Sequence, residues 1–433
     1  MSRPRVVIVG AGFAGYHTAR TLSRLCREAV EIVLVNPTDY FLYVPLLPEV
    51  AVGLLEPRRI AVSLPDTLPN VRLVLGELTA IDLDARRIHY VNPENDAGQL
   101  DYDRLVLAAG SVNKSLPIPG ATEYAHGFRS LPEALFLRDH ITQQIELADV
   151  ADDPEEREAR CTFVVVGGGY TGTELAAQGV LYTSELARRH PRLGGQRPRW
   201  ILLDVADRIL PELDVRMSQV ADRVLRERGV DVRPGVTVKE VRPDSAVLSD
   251  GQTVPTRSVL WCVGTRPDPL VANLGLETIK GRVLVDEYLT VPGRPELYAC
   301  GDAAAVPDPS QPGQFTPMTA QHAVRHGKVV ARNIAASFGM DSRRPYQYRT
   351  IGFAVDLGDG DAAANPFELM FTGLLARLAT RGYHLLNLPA NRVRVAADWL
   401  LNAVSRRQGV RLGTVPKRAL PLDSDAPELV QVS

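Results

Sequence analysis

The sequence predicts an α/β chain in which two glycine-rich βαβ units are followed by a C-terminal amphipathic helical segment. Three observations carry this. VVIVGAGFAG at residues 6 to 15 and FVVVGGGYTG at 163 to 172 each set G-x-G-x-x-G between a β-branched run and a helix-compatible stretch, a pattern that seats a pyrophosphate on a helix N-terminus. Two further strand-like runs, DYDRLVLAAGS (101–111) and PELYACGDAAAV (295–306), end in small residues. Residues 371–413 interleave leucines and aromatics with arginines.

The glycines divide the work of each finger. Gly10 and Gly167 are expected to make the tight turn, Gly12 and Gly169 to let the backbone approach phosphate, and Gly15 and Gly172 to let helix and strand pack closely. The helix N-termini then offer unpaired N–H groups and partial positive charge to a diphosphate. One finger implies one nucleotide. Two imply that two are brought together, and a reduced nicotinamide beside a flavin is the usual reason.

Length and composition bound the class. The 433 residues suffice for two or three domains, and 45% hydrophobic with 23% charged residues is ordinary for a globular protein. The opening MSRPRVVIVG enters a strand almost at once, which leaves no room for a signal peptide, and no apolar run approaches the roughly 18 residues of a spanning helix. Cys26, Cys161, Cys262 and Cys300 form no C-x-x-C pair and read as buried small residues in a reducing compartment. A net charge of −2 gives no sign of nucleic-acid binding. That average conceals an asymmetry, because residues 377–418 carry nine Arg or Lys against one acid, Asp398, or about +8, leaving about −10 for the remainder.

In chain order, the first unit reads as strand 5–9, helix 14 to about 27, and strand 31–35. The end of that second strand usually carries an acid for an adenosine ribose. Here it carries Asn36, which can hydrogen-bond a hydroxyl but brings no charge; Arg58 or Arg59 are candidates to offset that loss. Ala109 and Gly110 end the next strand with small residues that let backbone close over a flat ring, and Asp302 places a carboxylate at a strand tip where it can accept from a polyhydroxyl chain. In the second unit, strand WILLD ends at Asp204, an acid expected to bind a ribose 2′-OH and to repel a 2′-phosphate, so NADH is preferred over NADPH; nearby Arg208 would soften that preference. Glu174 stands just inside the following helix, in the first turn, where the helix dipole favours a carboxylate.

This order of motifs, completed by VLWCVGT (259–265) and its Gly264, resembles the two-dinucleotide-binding-domain flavoproteins over roughly residues 5–335. The resemblance implies two Rossmann-like domains. The FAD-binding domain would be discontinuous (1–115 and 270–340), an NADH-binding domain (116–269) would be inserted into it, and a membrane-docking or interface segment (341–433) would follow. By the same resemblance Gly10, Gly12, Gly15, Ala109, Gly110 and Asp302 contact FAD, and Glu174 faces the nicotinamide and the flavin edge, to orient NADH or handle a proton.

The members of that superfamily that reduce disulfides need a cysteine pair after the first finger, and none occurs between Cys26 and Cys161. Sulfide:quinone oxidoreductases use separated cysteines beside the flavin; only Cys300 is placed for that, with Cys161 a remote partner. Three segments resemble type II NADH:quinone oxidoreductases instead. YFLYVPLLPEVAVG (40–53), with Pro45, is similar to a flavin-adjacent segment; TPMTAQHAVRHGKVVARNI (316–334) to an Ala-Gln helix carrying Ala320, Gln321 and Gly327; and residues 371–413 to a membrane-docking tail. The resemblance implies a peripheral enzyme at the cytoplasmic face of the membrane that passes electrons from NADH through FAD to menaquinone or ubiquinone without pumping protons, and that could form a homodimer. A small residue such as Ala320 lets a planar quinone approach, and the Gln321 amide can donate to its carbonyl. His322 and His326 read as a polar helix face, since no Glu follows His322 to make a zinc motif. The tail's Phe371, Leu374, Leu375, Leu378, Tyr383, Leu385, Leu386, Trp399, Leu400 and Leu401 among arginines fit helices lying in a membrane interface. A soluble NADH-dependent reductase of a ferredoxin or rubredoxin remains an alternative, with the basic tail docking an acidic protein.

Overall fold

The computed structural model describes residues 3–349, 352–366, 369–405 and 407–422. Arg406 and residues 423–433, both within the expected tail domain, lie outside the described residues. The elements that position the sites are, in chain order, β1 (Arg5–Val9), α1 (Phe13–Cys26), β2 (Glu31–Asn36), α2 (Leu47–Ala51), β3 (Arg72–Leu75), β4 (Arg104–Leu107), β5 (His126–Gly127), α3 (Leu131–Val150), β6 (Thr162–Val166), α4 (Tyr170–Ala187), β7 (Arg199–Asp204), β8 (Val230–Pro234) and β9 (Ser258–Trp261). They continue with β10 (Thr290–Val291), β11 (Arg294–Ala299), α5 (Ala320–Ser337), β12 (Ala354–Gly358), β13 (Asp361–Ala364), β14 (Phe371–Thr372), α6 (Gly373–Asn387) and α7 (Arg392–Val404).

The chain divides into two compact units. The first comprises residues 1–42, 61–112 and 265–349. Its six-stranded sheet has the order β10-β11-β4-β1-β2-β3, parallel except at the β10–β11 edge. A parallel sheet buried on both faces calls for unbroken apolar strands, and Val6, Val7 and Ile8 are wholly buried. β1 and β4 are neighbours though distant in sequence, so the strand order reverses there, the place where open α/β sheets bind ligands at their carboxyl ends. Helix α5 packs on α1. Gly327 makes that approach possible, because a Cβ there would collide with the carbonyl oxygen of Ala14.

The second unit comprises residues 43–60, 113–264 and 350–433. Its parallel sheet has the order β5-β9-β6-β7-β8. Two segments expected elsewhere group with it: residues 43–60, which interrupt the first unit, and the C-terminal stretch, whose antiparallel β12-β13-β14 sheet packs on α6 and on α4. Among the described residues no helix is long and apolar enough to cross a membrane.

Two helical glycines predict opposite outcomes. Gly327→Ala forces α1 and α5 apart and is expected to cost about 1–3 kcal/mol. At Gly382, in α6, a Cβ meets nothing within 4 Å, so Gly382→Ala should be neutral or stabilise by up to about 1 kcal/mol through helix propensity. Thermal unfolding of the two variants measures both.

Candidate functional site

The two glycine fingers are built by the same contacts. A Cβ on Gly10 or Gly15 would strike the carbonyl oxygens of Ala108 and Gly10, and one on Gly167 or Gly172 those of Cys262 and Gly167. Gly12 and Gly169 differ: a Cβ there meets nothing within 4 Å, so these faces of the loops stand open. Each serves as the N-cap of its helix without side-chain capping, leaving first-turn N–H groups for a ligand. Gly10 and Gly167 hold φ of +92° and +105°, where only glycine is unstrained.

The residue ending the second strand of each unit locks its loop. Asn36 Oδ1 accepts the Ala11 N–H at 2.8 Å, and its amide donates to Thr38. Asp204 Oδ2 accepts the Gly168 N–H at 2.6 Å, and its other oxygen accepts from Ala206. Asn36 is therefore an equivalent part, fixing the same loop position by one neutral bond where Asp204 uses a charged one. Arg59 pairs with Asp398 at 2.9 Å in the second unit. Arg208 is also committed, donating to the carbonyls of Leu210, Pro211 and Leu213, and is thus spent on its own loop.

In the first unit Gly110 follows β4 with φ +80°, and Ser111 Oγ donates to Asp302 Oδ2 at 2.8 Å. Asp302 and the glycine finger share one sheet edge, since β4 and β11 are neighbours. Gly301 packs on Ala14, and its N–H donates to His326 Nδ1 at 3.3 Å. Ala320 and Gln321 open α5 in this unit, whereas Pro45 belongs to the second. His322 and His326 lie one turn apart on α5 and are both buried, with His322 Nδ1 2.7 Å from the Tyr346 hydroxyl. No metal-ligand cluster occurs among the described residues, and all four cysteines are free, with Cys300 and Cys161 both buried.

The second unit holds a grouping that the sequence did not disclose. Glu174 lies in the second turn of α4, not the first, because Gly169 is the cap. Its Oε1 accepts the Asp356 N–H from β12 at 3.0 Å. Glu49 on α2, 3% exposed, accepts the Trp399 Nε1–H at 2.5 Å. Burial pushes the Glu49 carboxyl up to about 7, helped by the charge of Asp356 and opposed by the Trp399 bond and by Arg381 and Arg377. Burial likewise raises Glu174 well above the carboxylate range, with the charges of Asp356 and Glu49 adding to it and the Asp356 N–H opposing it. The Glu49 carboxyl therefore holds its proton up to about neutral pH. Gly264, φ +93°, ends the crossing from β9, and its carbonyl accepts the Lys114 N–H.

Trp399 corrects the reading of the tail. It is 6% exposed, its indole under the Arg381 guanidinium at 4.6 Å, so it is an anchor and not part of an outer apolar face. Asp398 adds to the anchor by accepting from Arg59 and the Glu56 N–H, and Asn402 donates to the Leu54 carbonyl. The opposite side stays bare: Leu374, Leu375, Leu378, Leu386, Val393, Leu400, Leu401 and Val404 are each more than half exposed.

Residues 4–327 match the family model described as "Pyridine nucleotide-disulphide oxidoreductase". The type II NADH:quinone oxidoreductase NdhA of Mycobacterium tuberculosis is 32% identical over 94% of this chain and 88% of its own. The demethylphylloquinone reductase NdbB of Synechocystis is 31% identical over 92% of this chain and 96% of its own. The NDH2 structure of Plasmodium falciparum in complex with NADH superposes with a TM-score of 0.85 at 16% identity, covering 94% of this chain and all of that one, which is a likeness of fold.

Glu49 gives a signed pH test. Its folded-state pKa lies above the unfolded value, so its contribution to stability is full below about pH 4.5 and is lost as pH rises through about 7. Glu49→Gln keeps an acceptor for Trp399 and cannot ionise. The variant should lose less stability than the parent between pH 5 and pH 8, by on the order of a few kcal/mol. Parallel denaturant titrations would show a constant difference if Glu49 ionised normally.

Proposed function

Because the chain belongs to the type II NADH:quinone oxidoreductases, within the pyridine nucleotide-disulphide oxidoreductase family, we propose that it oxidises NADH and reduces a membrane quinone from a peripheral position on the membrane. The balanced reaction is NADH + H⁺ + quinone → NAD⁺ + quinol. The observation that carries the proposal is the pair of identically constructed, open glycine fingers in a chain whose cysteines are all free.

The residues fit both nucleotides. Gly10, Gly12 and Gly15 with the lock at Asn36 would hold the FAD diphosphate, while Ala109, Gly110 and Asp302 at the neighbouring strand tips would take the ring and ribityl chain. When bound, FAD supplies the means of accepting a hydride and releasing two electrons to an acceptor. Gly167, Gly169 and Gly172 would hold the NADH diphosphate, with Asp204 for the ribose and Gly264 at the mouth. The donations of Arg208 to its own loop carbonyls compete with any 2′-phosphate, which favours NADH. Glu174 is assigned to orient the nicotinamide or hold a proton, and its buried, proton-retaining carboxyl suits the second task. Pro45, Ala320 and Gln321 are assigned to the quinone.

The bare leucines of α6 and α7, beside Arg392 and Arg394, support interfacial docking, in which apolar side chains enter the acyl boundary and arginines meet anionic headgroups at about 1 kcal/mol each. The proposal places this on the cytoplasmic face and includes no proton pumping. An acidic ferredoxin or rubredoxin would be served by the arginines but would leave eight large apolar side chains uncovered. A flavin-adjacent disulfide of the sulfide:quinone type has no cysteine pair to form it.

The test is steady-state oxidation of NADH and NADPH by the FAD-loaded protein with menaquinone, ubiquinone and ferredoxin as acceptors. NADH with a quinone should be the productive pair; turnover with ferredoxin alone would overturn the reading. Truncation is the wrong probe of the tail, because Trp399 and Leu422 are buried. Replacing Leu374, Leu378, Leu400 and Leu401 by Gln should preserve turnover of a water-soluble quinone analogue and reduce, about tenfold or more, turnover of menaquinone presented in anionic vesicles.

A further inference from the structure

The second unit contains a cavity of about 440 Å³ that the proposed function does not use. Dinucleotides bind beyond the carboxyl ends of parallel strands, and the finger at Gly167 follows the last residue of β6. This cavity lies at the other end of the sheet, since its wall includes Thr256 and Arg257, which precede the first residue of β9. Its remaining walls are β5, α3 and the chain after α7.

That chain is fastened deliberately over the opening. Asp139 of α3 accepts the N–H groups of Leu412 and Gly413 at 3.1 and 2.6 Å, which spends both its oxygens and sets Arg411 and Lys417 on the rim. Arg242 and Arg257 also line the cavity but are paired, with Glu240 and Glu156. Arg411 and Lys417 have no carboxylate within ion-pair distance among the described residues; Lys417 stands over the Tyr124 ring at 5.7 Å. Among the described residues, the cavity thus carries two positive charges that no ion pair balances.

A buried donor completes it. His126 is 6% exposed and lines the cavity, its ring 5.0 Å from Phe136 and 4.5 Å from His140 between centroids. His140 is satisfied by the Ser258 hydroxyl at 2.9 Å; among the described residues no side chain takes up the His126 ring nitrogens, which leaves them available to a molecule in the cavity.

We propose that this cavity is a binding site for a small polyanion, a phosphate ester or a polycarboxylate, held by Arg411 and Lys417 and hydrogen-bonded by His126. The volume suits a metabolite-sized ligand, and within the second unit the site lies at the opposite end of the sheet from the Gly167 finger. Desolvation, with the charges of His140 and Lys417, holds His126 well below the usual histidine range, so the ring meets a ligand as a neutral hydrogen-bonding group.

The test is calorimetric titration of the full-length, FAD-loaded protein at low ionic strength and pH 6.5, with its nicotinamide site saturated by NAD⁺. Pyrophosphate and citrate are the probes, and whichever binds tighter assigns the phosphate or the carboxylate class. One saturable site per chain is expected. Affinity should fall about tenfold or more in the Arg411→Ala/Lys417→Ala variant, whose exposed side chains are not needed for folding, and severalfold in His126→Phe, which keeps the ring and removes its nitrogens. The proposal is overturned if neither probe binds saturably, if NAD⁺ displaces the probe, if the double variant binds as tightly as the parent, or if His126→Phe does.

Discussion

Everything at the two nucleotide sites depends on one hydrogen bond made twice. A glycine loop at the end of a parallel strand is useful to a diphosphate only if its N–H groups stay aimed outward, and glycine's freedom works against that. In each unit the side chain at the tip of the second strand removes the freedom by accepting the N–H of the residue after the first glycine: Asn36 for Ala11, Asp204 for Gly168. The remaining glycines then follow as consequences. Gly15 and Gly172 must lack a Cβ because the loop so held runs against the helix, and Gly12 and Gly169 face open space, where the proposed diphosphates would lie.

The second constraint is electrostatic and is met by chain segments far apart in sequence. Glu49 and Glu174 come from α2 and α4 and feel the charge of Asp356 in β12, and burial with that charge disfavours ionising either glutamate. Trp399, Arg381 and Arg377 oppose that cost, and all three belong to the C-terminal helices. The helices proposed to touch lipid therefore also stabilise a carboxyl group in the unit that carries the nicotinamide finger. Their inner stripe, Val395, Asp398 and Trp399, is buried, and their outer leucines are bare.

The fingers were legible in the sequence because everything they need lies within about ten residues, and strand β2 and helix α1 fell where the apolar pattern put them. The family was legible from three separated segments. What was missed was missed for physical reasons. Asn36 was read by the charge it lacks, whereas its function here is to accept one N–H. Glu49 and Asp356 are about 300 residues apart, and no local period joins them. Trp399 was counted with the exposed leucines although Val395 and Asp398, four and one residues before it, mark the inward stripe of α7. The histidines of α5 show in sequence only as a polar helix face, and no local pattern discloses that His326 accepts the Gly301 N–H, beside Asp302 in the chain. Residues 43–60 read as part of the first unit because they follow it in sequence, and contacts with α3, α4 and α7 place them in the second.

The central claim is that electrons enter from one finger's nucleotide and leave through the other's. Anaerobic rapid mixing tests it most directly. NADH added to the FAD-loaded protein should bleach the flavin absorbance in a single turnover, and a quinone added next should restore it. A flavin that NADH does not bleach, or that stays bleached in the presence of quinone, would contradict the account.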